Sequence, residues 1–295
     1  MTDQELFTMV GIRPEAAAPK KKVRRLKAFP WVSVILMAGI VLCCLFAELL
    51  MTKDPGYLDL THFDTAPNGE FLFGTDSLGR DIFSGIWYGG RISITIGFLA
   101  TVISTVIAVV YGSVSGIAPV WLDTLMMRFT EIFLSVPGLL LVLFLQAIMG
   151  AANVLTLSIV IGLTGWAGIA KVIRTEVRQI RNSDYVVASR CMGGKFFHIL
   201  RKHLAPNFIA SIMFMVVMNV RGAIGSESTL SFMGMGLPLE IISWGSMLSL
   251  AEKALLSGSW WIILIPGAFL VTLLMCLTNI GNYLRKAANR KESNL

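Results

Sequence analysis

Two sets of oppositely charged residues stand in otherwise apolar stretches, and they are the first candidates for chemistry. Arg128 and Glu131 are three apart, which puts both on one face of a helix, and Arg221 and Glu227 lie on or near the end of another apolar stretch. A charge within a bilayer faces protein or water and finds a partner, so both sets read as interior residues, either paired for structure or lining a polar path. If Arg221 lines such a path, it influences which solutes pass. Other reactive types offer less. His198 and His203 are five apart, not on one helical face as a metal pair would be. Cys43, Cys44, Cys191 and Cys276 form no CxxC pair, so neither a disulfide framework nor a metal site is indicated. Gly194-Lys195 is followed by Phe196 rather than Ser or Thr and lacks a Gly five residues before its own glycine, so it is not a phosphate-binding loop. No G-x-S-x-G or H-E-x-x-H pattern speaks for a hydrolase.

The elements that must position these residues follow from composition. Of 295 residues, 55% are hydrophobic and 15% charged, with mean hydropathy +0.72; an average soluble domain carries about 25% charged residues. Crossing a hydrocarbon core roughly 30 Å thick takes about 20 apolar helical residues. Runs free of Asp, Glu, Lys and Arg are 28–47, 92–122, 132–170, 203–220 and 254–284. The third is too long for one span, and Gly150-Ala151-Ala152-Asn153 supplies the small and polar residues of a turn near its middle. The pattern predicts an all-α integral membrane protein with six transmembrane helices, at about 29–50, 92–114, 129–149, 154–172, 208–230 and 260–282.

Lys and Arg accumulate on the cytoplasmic side of short loops. They crowd the segment before the first span, the connector after the fourth and the stretch after the sixth, whereas 51–90, 150–153 and 231–259 contain only Lys53, Arg80 and Lys253. Both termini are therefore expected in the cytoplasm. The formal charge of +7 reflects this topology and contact with anionic membrane lipid, not nucleic acid. The first apolar run is longer than a signal-peptide core, and Ala47-Glu48-Leu49 is no small-x-small cleavage site, so an uncleaved helix is expected. The organisation reads as a cytoplasmic tail 1–28, a first span 29–50, an extracytoplasmic segment 51–90 of loops and turns, a core 91–282 with a long cytoplasmic connector 173–206, and a cytoplasmic tail 283–295. Trp244, Trp260 and Trp261 read as an interfacial aromatic belt.

The connector is the most informative stretch. Ser183 is placed to cap a helix start and Asp184 to favour the positive end of its dipole. Tyr185, Ala188, Met192, Phe196 and Ile199 recur at three- and four-residue spacing, a seam suited to a partner's groove or to the membrane surface. Gly193-Gly194 predicts a turn between two short helices, and Pro206 falls in the first turn of the fifth span.

Asp184-Tyr185-Val186-Val187-Ala188-Ser189-Arg190-Cys191-Met192-Gly193, followed by His203-Leu204-Ala205-Pro206, resembles the cytoplasmic "EAA" signature of binding-protein-dependent ABC permeases. Gly74-Thr75-Asp76-Ser77-Leu78-Gly79-Arg80-Asp81 and Tyr88-Gly89-Gly90-Arg91-Ile92-Ser93 are similar to the stretch before the second helix in the "C" type permease of the dipeptide, oligopeptide and nickel importer family. Asp123, Met127-Arg128 and Pro137, the run from Glu227 to Gly236, and Ser243-Trp244-Gly245 follow the same pattern in order, so the resemblance covers about 70–285. The sequence departs at Val187, where the signature has its Glu, at Ser189 in place of its second Ala, and at Ala205 before the Pro.

The resemblance implies a type I importer permease (MetI-like) core. Its partners would be a homologous second permease subunit, two ABC ATPase subunits that use ATP, and an extracytoplasmic solute-binding protein. No cofactor is expected on this chain. Asp184, Tyr185, Ala188, Ser189, Met192, Gly193 and Pro206 would form the ATPase-coupling segment. Dipeptides or oligopeptides are the expected solutes, with nickel or metallophore complexes as the alternative, and the location is a bacterial or archaeal inner membrane. Without the connector's Gly and Pro placement, six spans with internal charges would equally fit a secondary transporter or channel.

Overall fold

The computed structural model describes residues 29–59 and 61–292, so the tail 1–28 and the last residues of the tail 283–295 lie outside the described residues. Among the described residues the regular structure is helical, apart from one isolated bridge between Thr75 and Asp81. The elements are α1 (Trp31–Leu45), α2 (Ala47–Leu50), α3 (Ile82–Ile117), α4 (Val120–Ser135), α5 (Gly138–Met149), α6 (Val154–Thr164), α7 (Ala167–Ile180), α8 (Asp184–Cys191), α9 (Phe196–Ile199), α10 (Ala205–Phe232), α11 (Trp244–Leu248), α12 (Ala251–Ser257) and α13 (Trp261–Glu292).

Helix α3 is the spine. Its 36 residues extend about 54 Å at 1.5 Å per residue, well beyond a hydrocarbon core. It starts ten residues before the predicted 92, inside the segment read as loops, because the Asp81 side chain caps it by accepting from the Ser84 N–H at 3.0 Å. Gly89-Gly90 does not break the helix. It gives close approach: a Cβ on Gly90 would lie 2.6 Å from the Cys44 Sγ and from the Trp244 ring. Further along, a Cβ on Gly97 would strike Ile224, and one on Gly112 would lie 2.6 Å from the Ala170 carbonyl oxygen. Small residues with polar hydroxyls, Ser93, Thr101, Ser104, Ser113 and Ser115, are buried along the same helix. That is how membrane helices associate where lipid removes the hydrophobic drive.

The predicted span 129–149 is two helices, α4 and α5, bent by 92°. Pro137 has no N–H and forces the preceding residue out of the helical region, so Val136 is extended and the chain turns there. Likewise α6 and α7 meet at a 47° bend, and α7 runs to Ile180 rather than ending near 172. Among the described residues two helices, Ile82–Ile117 and Trp261–Ala287, are long and apolar enough to cross a membrane, or up to four spans if each bent pair is one; the six predicted from charge-free runs are not reached by that measure. The turn at 150–153 forms, with Gly150 at φ +80° and Asn153 capping α6 through the Leu155 and Thr156 N–H groups.

Three apolar clusters hold the bundle. One joins α7, α8, α9 and α10; one joins α1, α3, α11 and α13; and one joins α3, α5, α6 and α10. Trp244 belongs to the second. It is fully buried, with its indole N–H donating to the Ile86 carbonyl at 2.9 Å, so it is not part of an interfacial belt. Trp260 is exposed, and Trp261 donates to the Thr75 carbonyl at 3.2 Å.

Candidate functional site

The connector folds as a helix, a glycine turn and a second short helix. Helix α7 leads into it, burying Ala167, Ile169, Ala170, Ile173 and Val177 against the rest of the bundle. After Ile180 the chain turns. The Ser183 hydroxyl donates to the Ile180 carbonyl at 2.7 Å, closing α7, while the Val186 and Val187 N–H groups bond the Ser183 carbonyl at 3.0 Å. Helix α8 then presents two faces. Val186 and Ser189 point inward, whereas Asp184, Tyr185, Val187, Ala188 and Met192 face outward, Met192 with 82% of its surface exposed.

Ser189, 4% exposed, faces the protein's own core. Its carbonyl accepts the Gly194 N–H at 2.9 Å, the six-to-one bond of a Schellman motif, with Gly193 left-handed at φ +83°. Around a Cβ on Gly193 there is open space, but one on Gly194 would lie 2.7 Å from the Ser189 carbonyl oxygen. Beyond the turn, Ile199, Leu200 and Leu204 bury into the same cluster as Val177, Val186, Phe208 and Ile212. A π-helical stretch, Leu200–Leu204, feeds directly into α10. Pro206 lies in the first turn of α10; its side chain and that of Phe196 are outside the described residues. The seam is therefore split: Tyr185, Ala188 and Met192 are outward, and Ile199 is inward.

At the base of the hairpin is a charged clamp that the charge pattern did not reveal. Asp123, in the first turn of α4, accepts from both Nε (2.7 Å) and a terminal nitrogen of Arg174, from Arg178 at 2.7 Å and from the Ser115 hydroxyl at 2.7 Å. Arg181 donates to the Gly116 carbonyl at 3.1 Å. From sequence these arginines count toward the cytoplasmic excess of the connector; Arg174 and Arg178 at i,i+4 on one helical face, with Asp123 opening a nearby helix, carry the clue to the clamp.

The predicted interior charges separate. Arg128 and Glu131 do pair, at 2.9 Å, but with side chains 74% and 48% exposed they lie on this subunit's surface, not in its interior. Glu227 is fully buried. Among the described residues it pairs with no cation: Ser93 (3.0 Å) and Ser228 (3.3 Å) donate to Oε2, and Ser231 (3.1 Å) and Ser243 (2.7 Å) donate to Oε1. Three of those hydroxyls are themselves held by backbone N–H groups, of Trp244 on Ser93, Leu237 on Ser231 and Ser246 on Ser243. Arg221, by contrast, faces outward, and no ion pair joins it to Glu227 or to any other described residue.

Comparison with known proteins is consistent with this geometry. Residues 108–290 match the family model described as "Binding-protein-dependent transport system inner membrane component". The dipeptide transport system permease protein DppC of Bacillus subtilis (strain 168) is 37% identical over 286 residues, 95% of this chain and 88% of that protein. The oligopeptide transport system permease protein OppC of the same organism is 36% identical, over 88% of this chain and 85% of its own length. OppC of Haemophilus influenzae is 34% identical, over 88% and 84%. In fold, the chain is similar to a chain of the MetNI methionine ABC transporter in inward-facing conformations, with TM-score 0.53 and 17% identity, over 69% of this chain and 96% of that one.

Proposed function

The chain belongs to the family of binding-protein-dependent transport system inner membrane components, and on that premise we propose that it forms half of the translocation path of an ATP-driven importer for dipeptides, oligopeptides or related small solutes. Such components are transporter subunits, not enzymes, and the energy comes from partners. In this reading a homologous permease supplies the other half of the path, two ATPase subunits bind the connector at the cytoplasmic face, and an extracytoplasmic binding protein delivers the solute. Both termini then lie in the cytoplasm, a placement that the excess of Lys and Arg in those segments supports. Peptides are favoured because the relatives are named for dipeptide and oligopeptide transport.

One observation carries the coupling role: α8 and the turn after it expose Tyr185, Val187, Ala188 and Met192 on a hairpin whose underside is packed into α7 and α10. A partner that grips the outward face moves both long helices with it. ATP-driven closure of the ATPases thereby becomes a change in the path. The test is reconstitution of the complete complex in proteoliposomes, offering a peptide library against nickel chelates. Uptake of peptides with ATPase stimulation by loaded binding protein is expected. Uptake of nickel chelates alone would overturn the substrate assignment, and connector residues protected only by lipid would overturn the coupling role.

A further inference from the structure

Helix α10 carries Arg221 about 24 Å from its first residue and about 16 Å from its last. One face of the helix is committed to the bundle through Ala223, Ile224, Glu227 and Leu230. Arg221 is on the other. Beside it Gly222 is exposed, and a Cβ on Gly222 or Gly225 would meet nothing within 4 Å, so the strip of helix next to Arg221 is open. Glu227, the carboxylate nearest in the helix sequence, is turned away and takes four hydroxyl donors. Arg128 and Glu131, which are also exposed on an apolar helix, pair with each other.

A guanidinium facing the hydrocarbon core of a bilayer costs about 2.5–3.5 kcal/mol or more, so the Arg221 face is turned to water or to protein. An arginine fork in water, always charged and with five donors, matches a carboxylate better than any other common group. Resting on the peptide-importer reading above, we propose that Arg221 lines the translocation path and takes the carboxylate of the passing solute. Its open surroundings keep the contact solvated and weak, as passage requires, since a path must bind loosely enough to release.

The test is uptake by the reconstituted complex of a dipeptide with a free C-terminal carboxylate and of its C-terminal amide, with wild-type, R221Q and R221K subunits. The binding protein is the same throughout, so its own preference cancels between variants. R221Q is expected to lower uptake of the free acid by about tenfold relative to the amide, the value of one charge-assisted hydrogen bond, with R221K recovering part of it. An equal fall for acid and amide would overturn the assignment. So would loss of the second permease from the R221Q complex on co-purification, which places the partner of Arg221 on that subunit. Failure of the wild-type complex to move either peptide would instead refute the importer reading, and this proposal with it.

Discussion

Replacing Glu227 by Gln tests whether the buried carboxylate holds the α10 end to α3 and to the segment around α11. Glutamine has nearly the same shape but turns one acceptor oxygen into an N–H₂ donor. Placed toward Oε1, that donor faces Ser231 and Ser243, whose hydroxyls are both fixed by incoming N–H groups of Leu237 and Ser246. Placed toward Oε2, it faces Ser93, fixed by the Trp244 N–H, and Ser228, for which no such N–H bond is seen and whose hydroxyl can rotate to accept. The second placement is cheaper and leaves one buried hydroxyl proton without an acceptor, a cost of about 1–3 kcal/mol. Because the Trp244 ring and Cys44 meet at Gly90, loosening there exposes the Cys44 thiol. A cost of about 2 kcal/mol raises the open population roughly thirtyfold. Thiol-reactive dye labelling of the purified full-length subunit in detergent reads this directly, with Cys276, buried among other residues, as internal comparison. Cys44 should label faster in E227Q while Cys276 changes less. Identical Cys44 labelling in wild type and E227Q would refute the serine-anchored role of the carboxylate.

Other substitutions probe the connector and the helix packing. Gly193→Val strains a left-handed position by about 1–2 kcal/mol with no clash, whereas Gly193→Asn tolerates it; stimulation of ATP hydrolysis by loaded binding protein should be lost in the first and kept in the second, and equal stimulation in both would count against a set turn angle. Asp123→Asn removes the anion shared by Arg174 and Arg178, worth about 1–2 kcal/mol after allowance for their partial exposure. Amide exchange over 174–181 should accelerate roughly tenfold, and unchanged exchange would show the clamp to be idle. Gly112→Ala drives a Cβ against the Ala170 carbonyl at a cost of about 1–3 kcal/mol, while Gly138→Ala meets open space; the yield of monodisperse protein should fall only for the former.

Composition and charge placement alone determined that the chain is helical and membrane-embedded, because transfer of apolar residues and of charge into hydrocarbon is decided residue by residue. Local stereochemistry was legible for the same reason: the turn at 150–153, the Gly193 turn and the placement of Pro206 each depend on a few neighbouring residues. The bend at Pro137 was equally local but hidden by an unbroken apolar run. Tertiary structure decided which face each helix buries. Arg221 and Glu227, six apart, fall on different faces of α10, but its sequence does not say which face turns inward; the serines arriving from α3 and the segment before α11 make that choice. Ser189 turns inward and Trp244 enters the core for the same reason. Distant segments supply their neighbours, and a hydrogen bond from Trp244 to Ile86 spans 158 positions that no local pattern can connect.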